Sequence, residues 1–350
     1  MPHLLEVTNQ GIYCAEADVY IDPWKRVPTA IITHAHSDHA ISGCSHYITH
    51  KNSEPILRLT LGEQISLGTV NYGEAFFIRG VRFSLHPAGH IIGSAQIRVE
   101  FKGQVWVVSG DYKLQNDNFC EAFEPIKCHV FITESTFALP VYRWEPQSSV
   151  INEITRWISG NTSSGKATLL MGYSLGKMQR LLTNLPLNGL PVYGHGAICK
   201  VNERLMAAGF KLPQVLPLTN NTPREALKAS LILAPPGAAD SPWVKRLPDY
   251  TTGYCSGWMA MRGAKTRRSL DKGFVLSDHA DWNELNFAVK NTGAERVYVT
   301  HGYSSVFSRW LCDKGLDAKE MKTMYGDLET SDDGLLTSQN TNTESDEIIR

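Results

Sequence analysis

Four residues within six positions, His34, His36, Asp38 and His39, sit in the string IITHAHSDHA directly after an apolar β-run. Imidazole nitrogens and a carboxylate at this density can surround two adjacent cations from one loop leaving a strand. A single loop histidine is ordinarily a polar group satisfied by hydrogen bonds. Four ligand-type side chains in H-x-H-x-D-H order are better explained by metal binding.

Such residues need rigid strand ends to hold them, and the chain supplies candidates. Up to residue 139 it reads as short β-runs with tight turns: GIYCAEADVYID, TAIITH, FFIRGVRFSLHP, AQIRVEFKGQVWVVSGD and HVFITEST, with FKGQ joining two runs as a hairpin. Residues 140–271 change texture. Helical stretches SSVINEITRWIS and SLGKMQRLLTNL alternate there with β-like ATLLMGY, PVYGHG and SLILAPP, the pattern of an α/β unit with a parallel sheet. In 272–325 the first texture returns: GFVLSDHADWNELNFAVKN and ERVYVTHGYSSVFSRWL each read as strand, histidine-bearing loop and helix. An α/β module is thus expected inside a β-rich domain that the C-terminal part completes. Residues 326–350 are polar and acidic and are expected to form a flexible tail.

H-x-H-x-D-H after a short strand resembles the signature of the metallo-β-lactamase fold. The resemblance implies further ligands at the ends of β-runs: His90 in PAGHIIGS, Asp111 in VVSGDY and, upstream, Asp22 in YIDPW. By it, His34, His36 and His90 hold one divalent metal ion, Asp38, His39 and His301 hold a second, and Asp111 bridges both. Asp22 orients a ligand histidine, and the two ions are zinc or manganese. His86, close to His90, is read as a bystander.

That metal motif serves lactamases, thioesterases, lactonases and nucleases alike. Glu134 in ITEST, His279 in LSDHAD and His301 in VTHG resemble motifs A, B and C of the β-CASP nucleases, which also carry an α/β insertion between A and B. The likeness implies an αββα sandwich with an inserted β-CASP domain. It also implies phosphodiester hydrolysis by a hydroxide shared between two metals held by Asp38, Asp111 and the histidines. His279 is then the general acid, with Glu134 as its carboxylate partner.

The insert's SLGKMQRLL resembles the G-[RK]-x-Q helix of β-CASP domains, and places Ser174 and Lys177 near a helix start where a phosphate could bind. Between 241 and 272 basic residues outnumber acidic ones, and Trp258, Arg262, Arg267 and Arg268 are expected to meet a strand. Over residues 4 to 325 the chain resembles bacterial ligase-associated DNA exonucleases, which implies DNA as substrate, a role in DNA repair, and association with an ATP-dependent DNA ligase and a helicase. An RNA-processing β-CASP ribonuclease is the nearest alternative; a thioester or lactone hydrolase on the same fold is a more distant one.

Bulk properties agree with a globular enzyme. The 350 residues are 42% hydrophobic and 20% charged. The seven cysteines are scattered without a C-x-x-C pair, as reduced thiols would be. No leader-like start or membrane-length apolar run is present, so a cytoplasmic protein with no membrane contact is expected. The net charge of −1 conceals a split: without 326–350 the chain carries 33 bases against 28 acids, a mild bias toward a polyanionic partner.

Overall fold

The computed structural model describes residues 3–239 and 241–323. The expected acidic tail lies outside the described residues. Strands β1 (Glu6–Val7), β2 (Ile12–Cys14), β3 (Val19–Ile21), β4 (Thr29–Ile31), β5 (His46–His50) and β6 (Leu67–Val70) form a first sheet in chain order. A second sheet begins with β7 (Ala75–Ile78), β8 (Val81–Pro87), β9 (Ala95–Phe101), β10 (Gln104–Val108) and β11 (Val130–Glu134). The third holds β12 (Ala167–Met171), β13 (Val192–Gly194), β14 (Leu216–Pro217), β15 (Leu231–Ala234), β16 (Tyr250–Cys255) and β17 (Lys272–Phe274). The chain then returns to the second sheet with β18 (Arg296–Thr300), which pairs in parallel with β11, and β19 (Asp317–Glu320) on the edge.

Period-two burial explains why the first two sheets face each other. Ile12, Cys14, Ile21 and Ile31 of the first meet Val81, Phe83, Leu85, Ile97, Val99 and Trp106 of the second in one apolar cluster. The alternate residues Val105, Val107, Phe131, Val297 and Val299 point the other way. They are covered by Leu285 and Val289 of α6 (Trp282–Thr292) and Phe307 and Leu311 of α7 (Ser304–Asp313). On the outer face of the first sheet, Ala30, Ile32 and Tyr47 pack with Ile56 and Leu57 of α1 (Glu54–Leu61) and with Val201 and Leu205 of α4 (Gly196–Ala207). The FKGQ hairpin forms as expected, with Lys102 at φ 47° and Gly103 at φ 78°, the left-handed pair a two-residue turn requires.

All strand pairs of the third sheet are parallel. Its central strands β12 and β15 are buried along their whole length because both faces are covered. Leu170, Leu231 and Leu233 pack with α2 (Gln147–Ser163) and α3 (Lys177–Asn184), while Leu169, Met171 and Ile232 meet Leu227, Trp243 and Leu247. Among the described residues no helix is long and apolar enough to cross a membrane.

Helix α6 starts in a capping box: Asp281 accepts from the Glu284 N–H at 2.8 Å, and Glu284 accepts from the Asp281 N–H at 3.2 Å. Burial, then the neighbouring Asp281, pushes the Glu284 carboxyl from 4.5 up to about 7. The folded chain therefore binds more protons than the unfolded chain between those values, so this group lowers stability as pH rises through the window. The full cost, on the order of 3 kcal/mol, is reached above about pH 7. Glu284→Gln should remove that slope. Unfolding midpoints of the two proteins should separate progressively from pH 5 to pH 8, and a gap that does not change with pH would refute the linkage.

Candidate metal centre

The chemistry-bearing residues gather where strands end. His34, His36, Asp38 and His39 follow β4, His90 follows β8, Asp111 follows β10, Glu134 closes β11, and His301 follows β18. His279 comes from the loop between β17 of the third sheet and α6. Close backbone approach makes this convergence possible. At Gly110 (φ 56°) a Cβ would lie 2.7 Å from the Thr33 side chain, and at Gly302 (φ 68°) it would lie 2.5 Å from the Thr136 Cα. Asp22 (φ 42°) and His301 (φ 51°) adopt left-handed backbone without being glycine, an uncommon cost that clusters at functional sites.

Ligand atoms of His34, His36, His90 and Asp111 all lie within 4.8 Å of one another. His36 Nδ1 is 3.1 Å from His90 Nε2, and Asp111 Oδ2 is 3.6 Å from His34 Nε2 and 3.8 Å from His90 Nε2. A tetrahedral ion with bonds near 2.0–2.1 Å separates its donor atoms by roughly 3.3 Å. The observed spacings fit one ion among these four. The same Asp111 oxygen lies 3.5 Å from His39 Nε2, on the side where Asp38 Oδ2 is 3.7 Å from that nitrogen. His301 sets its ring 5.4 Å from that of His39, tilted by 34°. One carboxylate oxygen thus faces two ligand groups, the arrangement a bridging ligand needs. His34 Nε2 and His39 Nε2 are buried without a hydrogen-bond partner among the described residues. Both are aimed at Asp111, so the donor set fits cations.

The remaining ring nitrogens set the tautomers. His34 Nδ1 donates to Thr33 Oγ1 at 3.1 Å, and that hydroxyl donates in turn to Asp22 at 2.5 Å. His39 Nδ1 meets Asp22 at 2.8 Å, His90 Nδ1 the Asp278 carbonyl at 2.8 Å, and His301 Nδ1 the Thr300 hydroxyl at 3.1 Å. His36 is reversed: its Nε2 donates to the Leu175 carbonyl at 3.3 Å, leaving Nδ1 for the cluster. Each ring therefore turns a lone pair inward. His86 pairs with Ser84 and Glu124 and takes no part.

Burial, with neighbouring imidazoles, holds His34 and His90 well below the usual histidine range, and burial lowers His36 and His301 too. These rings are neutral, as ligands must be. At His39 burial opposes charge, but Asp111, Asp38 and Asp22 together outweigh it and favour positive charge at this position. That field marks where a second positive charge is favoured. Asp111 resists its own burial chiefly because His39, and then His279, keep it ionised, well below the carboxylate range.

Beside this cluster Glu134 is 1% exposed and saturated with donors. Its Oε1 accepts from the Tyr112 N–H at 2.7 Å, and its Oε2 accepts from Thr136 Oγ1 at 2.5 Å and His279 Nδ1 at 3.0 Å. His279 Nδ1 also lies 4.0 Å from Asp111 Oδ2. The Trp144 indole donates to the His279 carbonyl at 2.9 Å, and Phe137 packs 6.0 Å from the ring. Glu134 thus fixes the orientation of the His279 ring through Nδ1. All three partners of Glu134 are donors, so Glu134→Gln must turn an amide N–H₂ toward one of them. Turnover should fall about 10- to 100-fold with metal content unchanged; a variant at wild-type turnover would remove Glu134 from the site.

No family model matches the chain. It is 29% identical over 313 residues to a protein of Opitutus terrae named probable DNA ligase, covering 89% of this chain and 30% of that one. It is 30% identical over 116 residues to endoribonuclease YSH1 of Eremothecium gossypii, covering 33% of this chain and 15% of the other. These similarities are consistent with the β-CASP group of the metallo-β-lactamase superfamily that the motifs resemble. It spans less than a third of the length of either relative. A crystal structure of a protein of unknown function from Enterococcus faecalis shares the mixed α/β fold, with a TM-score of 0.58 at 11% identity, covering 85% of this chain and 80% of that one.

Among β-CASP features expected to meet a strand, Lys177 requires correction. Its side chain is buried, with Nζ 2.8 Å from Asp278 Oδ2 and 3.0 Å from the Leu276 carbonyl, so the ammonium is consumed inside the protein. Ser174 is half-buried, its carbonyl accepting from Gln179. Trp258 is half-buried against Phe137, ring centroids 4.8 Å apart, and belongs to the aromatic wall behind His279. Arg262 and Arg268 are exposed, the latter with its guanidinium 5.2 Å above the Tyr254 ring. The side chain of Arg267 lies outside the described residues. Sequence reading missed Thr33, Thr136, Arg180 and Asp278. Asp278 could have been noticed as the acidic neighbour of His279 in LSDHAD, whereas nothing local marked the others.

Proposed function

We propose that this protein is a metal-dependent phosphodiesterase of the β-CASP group acting on DNA, working as an exonuclease in DNA repair with two divalent ions, zinc or manganese. The observation that carries the reading is the His279–Glu134 pair set 4.0 Å from Asp111 at the edge of the histidine cluster. A thioester releases a thiolate, which needs no such proton donor.

His34, His36 and His90 would hold one ion, Asp38, His39 and His301 the other, and Asp111 both, with Asp22 orienting His39 and, through Thr33, His34. When bound, such ions supply a water ionised near neutral pH and offset charge growing on the phosphate. Glu134 keeps the proton of His279 Nδ1 in place, so Nε2 faces the leaving oxygen and gives it a proton as the bond to phosphorus breaks. Phe137, Trp144 and Trp258 wall that ring from bulk water. Arg262, Arg267 and Arg268 would follow the backbone of the strand outside.

The facing first and second sheets with their outer helices support reading 1–139 and the C-terminal part as an αββα sandwich around an insert, with the boundary at 272 moved past β17, which pairs with β16 in the third sheet. A relative named as a DNA ligase supports DNA as substrate and a ligase as functional partner. A relative named as an endoribonuclease supports RNA as the second reading. End-labelled DNA and RNA strands of matched sequence, incubated with metal-stripped protein reloaded with zinc or manganese, decide between them. Stepwise shortening of DNA is expected. Cleavage of RNA alone would overturn the substrate, and cleavage of neither, with turnover of thioesters, would overturn the class.

A further inference from the structure

Helix α3 of the insert is buried to an extent its polar sequence does not predict. Lys177, Gln179 and Arg180 are each at most 1% exposed. Arg180 spends every edge of its guanidinium. Nε pairs with Asp117, Nη1 with Asp278, and Nη2 donates to the His90 carbonyl at 2.8 Å and reaches the Gly89 carbonyl at 3.4 Å. Asp278 closes the circuit: its own carbonyl accepts His90 Nδ1 at 2.8 Å, while Lys177 binds its second carboxylate oxygen at 2.8 Å. One ion pair thus grips His90 twice, at its backbone through the arginine and at its ring through the aspartate. Asp278 also adjoins His279, whose ring bonds to Glu134.

The start of the same helix reaches a second ligand histidine. Gln179 accepts from the Gly176 N–H at 2.7 Å and donates to the Ser174 carbonyl at 2.9 Å, shaping the turn whose Leu175 carbonyl receives His36 Nε2. Asp117 is itself held in place by the N–H groups of Phe119 and Cys120, from which it accepts at 3.0 and 3.2 Å.

We infer that Arg180, with Asp278 as its counter-ion, is a positioning residue through which α3 sets the geometry of the His90 ligand and of His279. A buried pair serving stability alone has no need to close on one ligand's backbone and ring together. The planar fork is essential: a lysine keeps the charge but cannot serve two carboxylates and a carbonyl at fixed angles. The inference rests on reading His90 as a metal ligand, and its test reads metal directly.

Cobalt(II) would be titrated into metal-stripped full-length protein, following the visible ligand-field bands, with unfolding midpoints measured in chelator. Arg180→Lys should fold but bind cobalt about 10- to 100-fold more weakly with altered bands. On the cleaved strand it should lower kcat while leaving KM near wild type. Asp117→Asn keeps the acceptor for Phe119 and Cys120 but loosens the Nε edge, and should show a smaller shift of the same kind. It carries the test if Arg180→Lys does not fold. A folded variant with the cobalt affinity and spectrum of the wild type would overturn the inference. A wild-type protein that takes up no cobalt would instead overturn the metal reading, and the inference with it.

Discussion

Replacing Asp111 by alanine is expected to empty both cation positions at once and to lower strand cleavage by more than about 10³-fold, beyond what loss of a single transition-state donor costs. The reason is geometric. Asp111 Oδ2 lies within 3.5 to 3.8 Å of His34, His39 and His90 alike, and it supplies negative charge to the cluster of imidazoles. Without it, five histidines would face two cations with only the more exposed Asp38 beside them. Metal analysis of the purified variant should show both equivalents lost. Added metal should then no longer raise its unfolding midpoint, because a ligand stabilises only the state that binds it. Full cleavage by an Asp111→Ala protein would sink the two-metal assignment.

His279→Ala should behave differently: metal content and KM stay near wild type while kcat on DNA falls about 10²- to 10⁴-fold, the usual worth of a general acid. His279 lies 4.0 Å from Asp111 through the nitrogen that Glu134 engages, the placement on which its reading as a proton donor rests. A substrate that needs no proton separates the two roles. On a nitrophenyl ester of a nucleotide the departing phenolate is stable, so the variant should regain most of the wild-type rate. An equal loss on both substrates, or loss of metal from the variant, would contradict the assignment.

Much of the centre was legible because its parts are local. A ligand must leave a strand end on a short loop, so H-x-H-x-D-H after TAIITH and the single His90, Asp111 and His301 after later β-runs mark strand exits that the folded chain brings together. The α/β texture of 140–271 likewise became a parallel sheet, since β-branched and apolar runs bounded by helices bury both faces. The basic helix start at Lys177 read as a phosphate site and proved to be interior.

Residue type, order and spacing therefore determined which groups could bind cations, where strands would hold them and that a second α/β unit interrupts the first. Only the tertiary structure decided which charges face solvent and which are consumed inside, and that Arg180, Asp278 and Asp117 tie the insert to His90 across 63 to 188 residues of chain. The physical reason is desolvation. A charge costs little at the surface and a great deal when buried unpaired, so the fate of a lysine or arginine depends on partners distant in sequence that local pattern does not reveal.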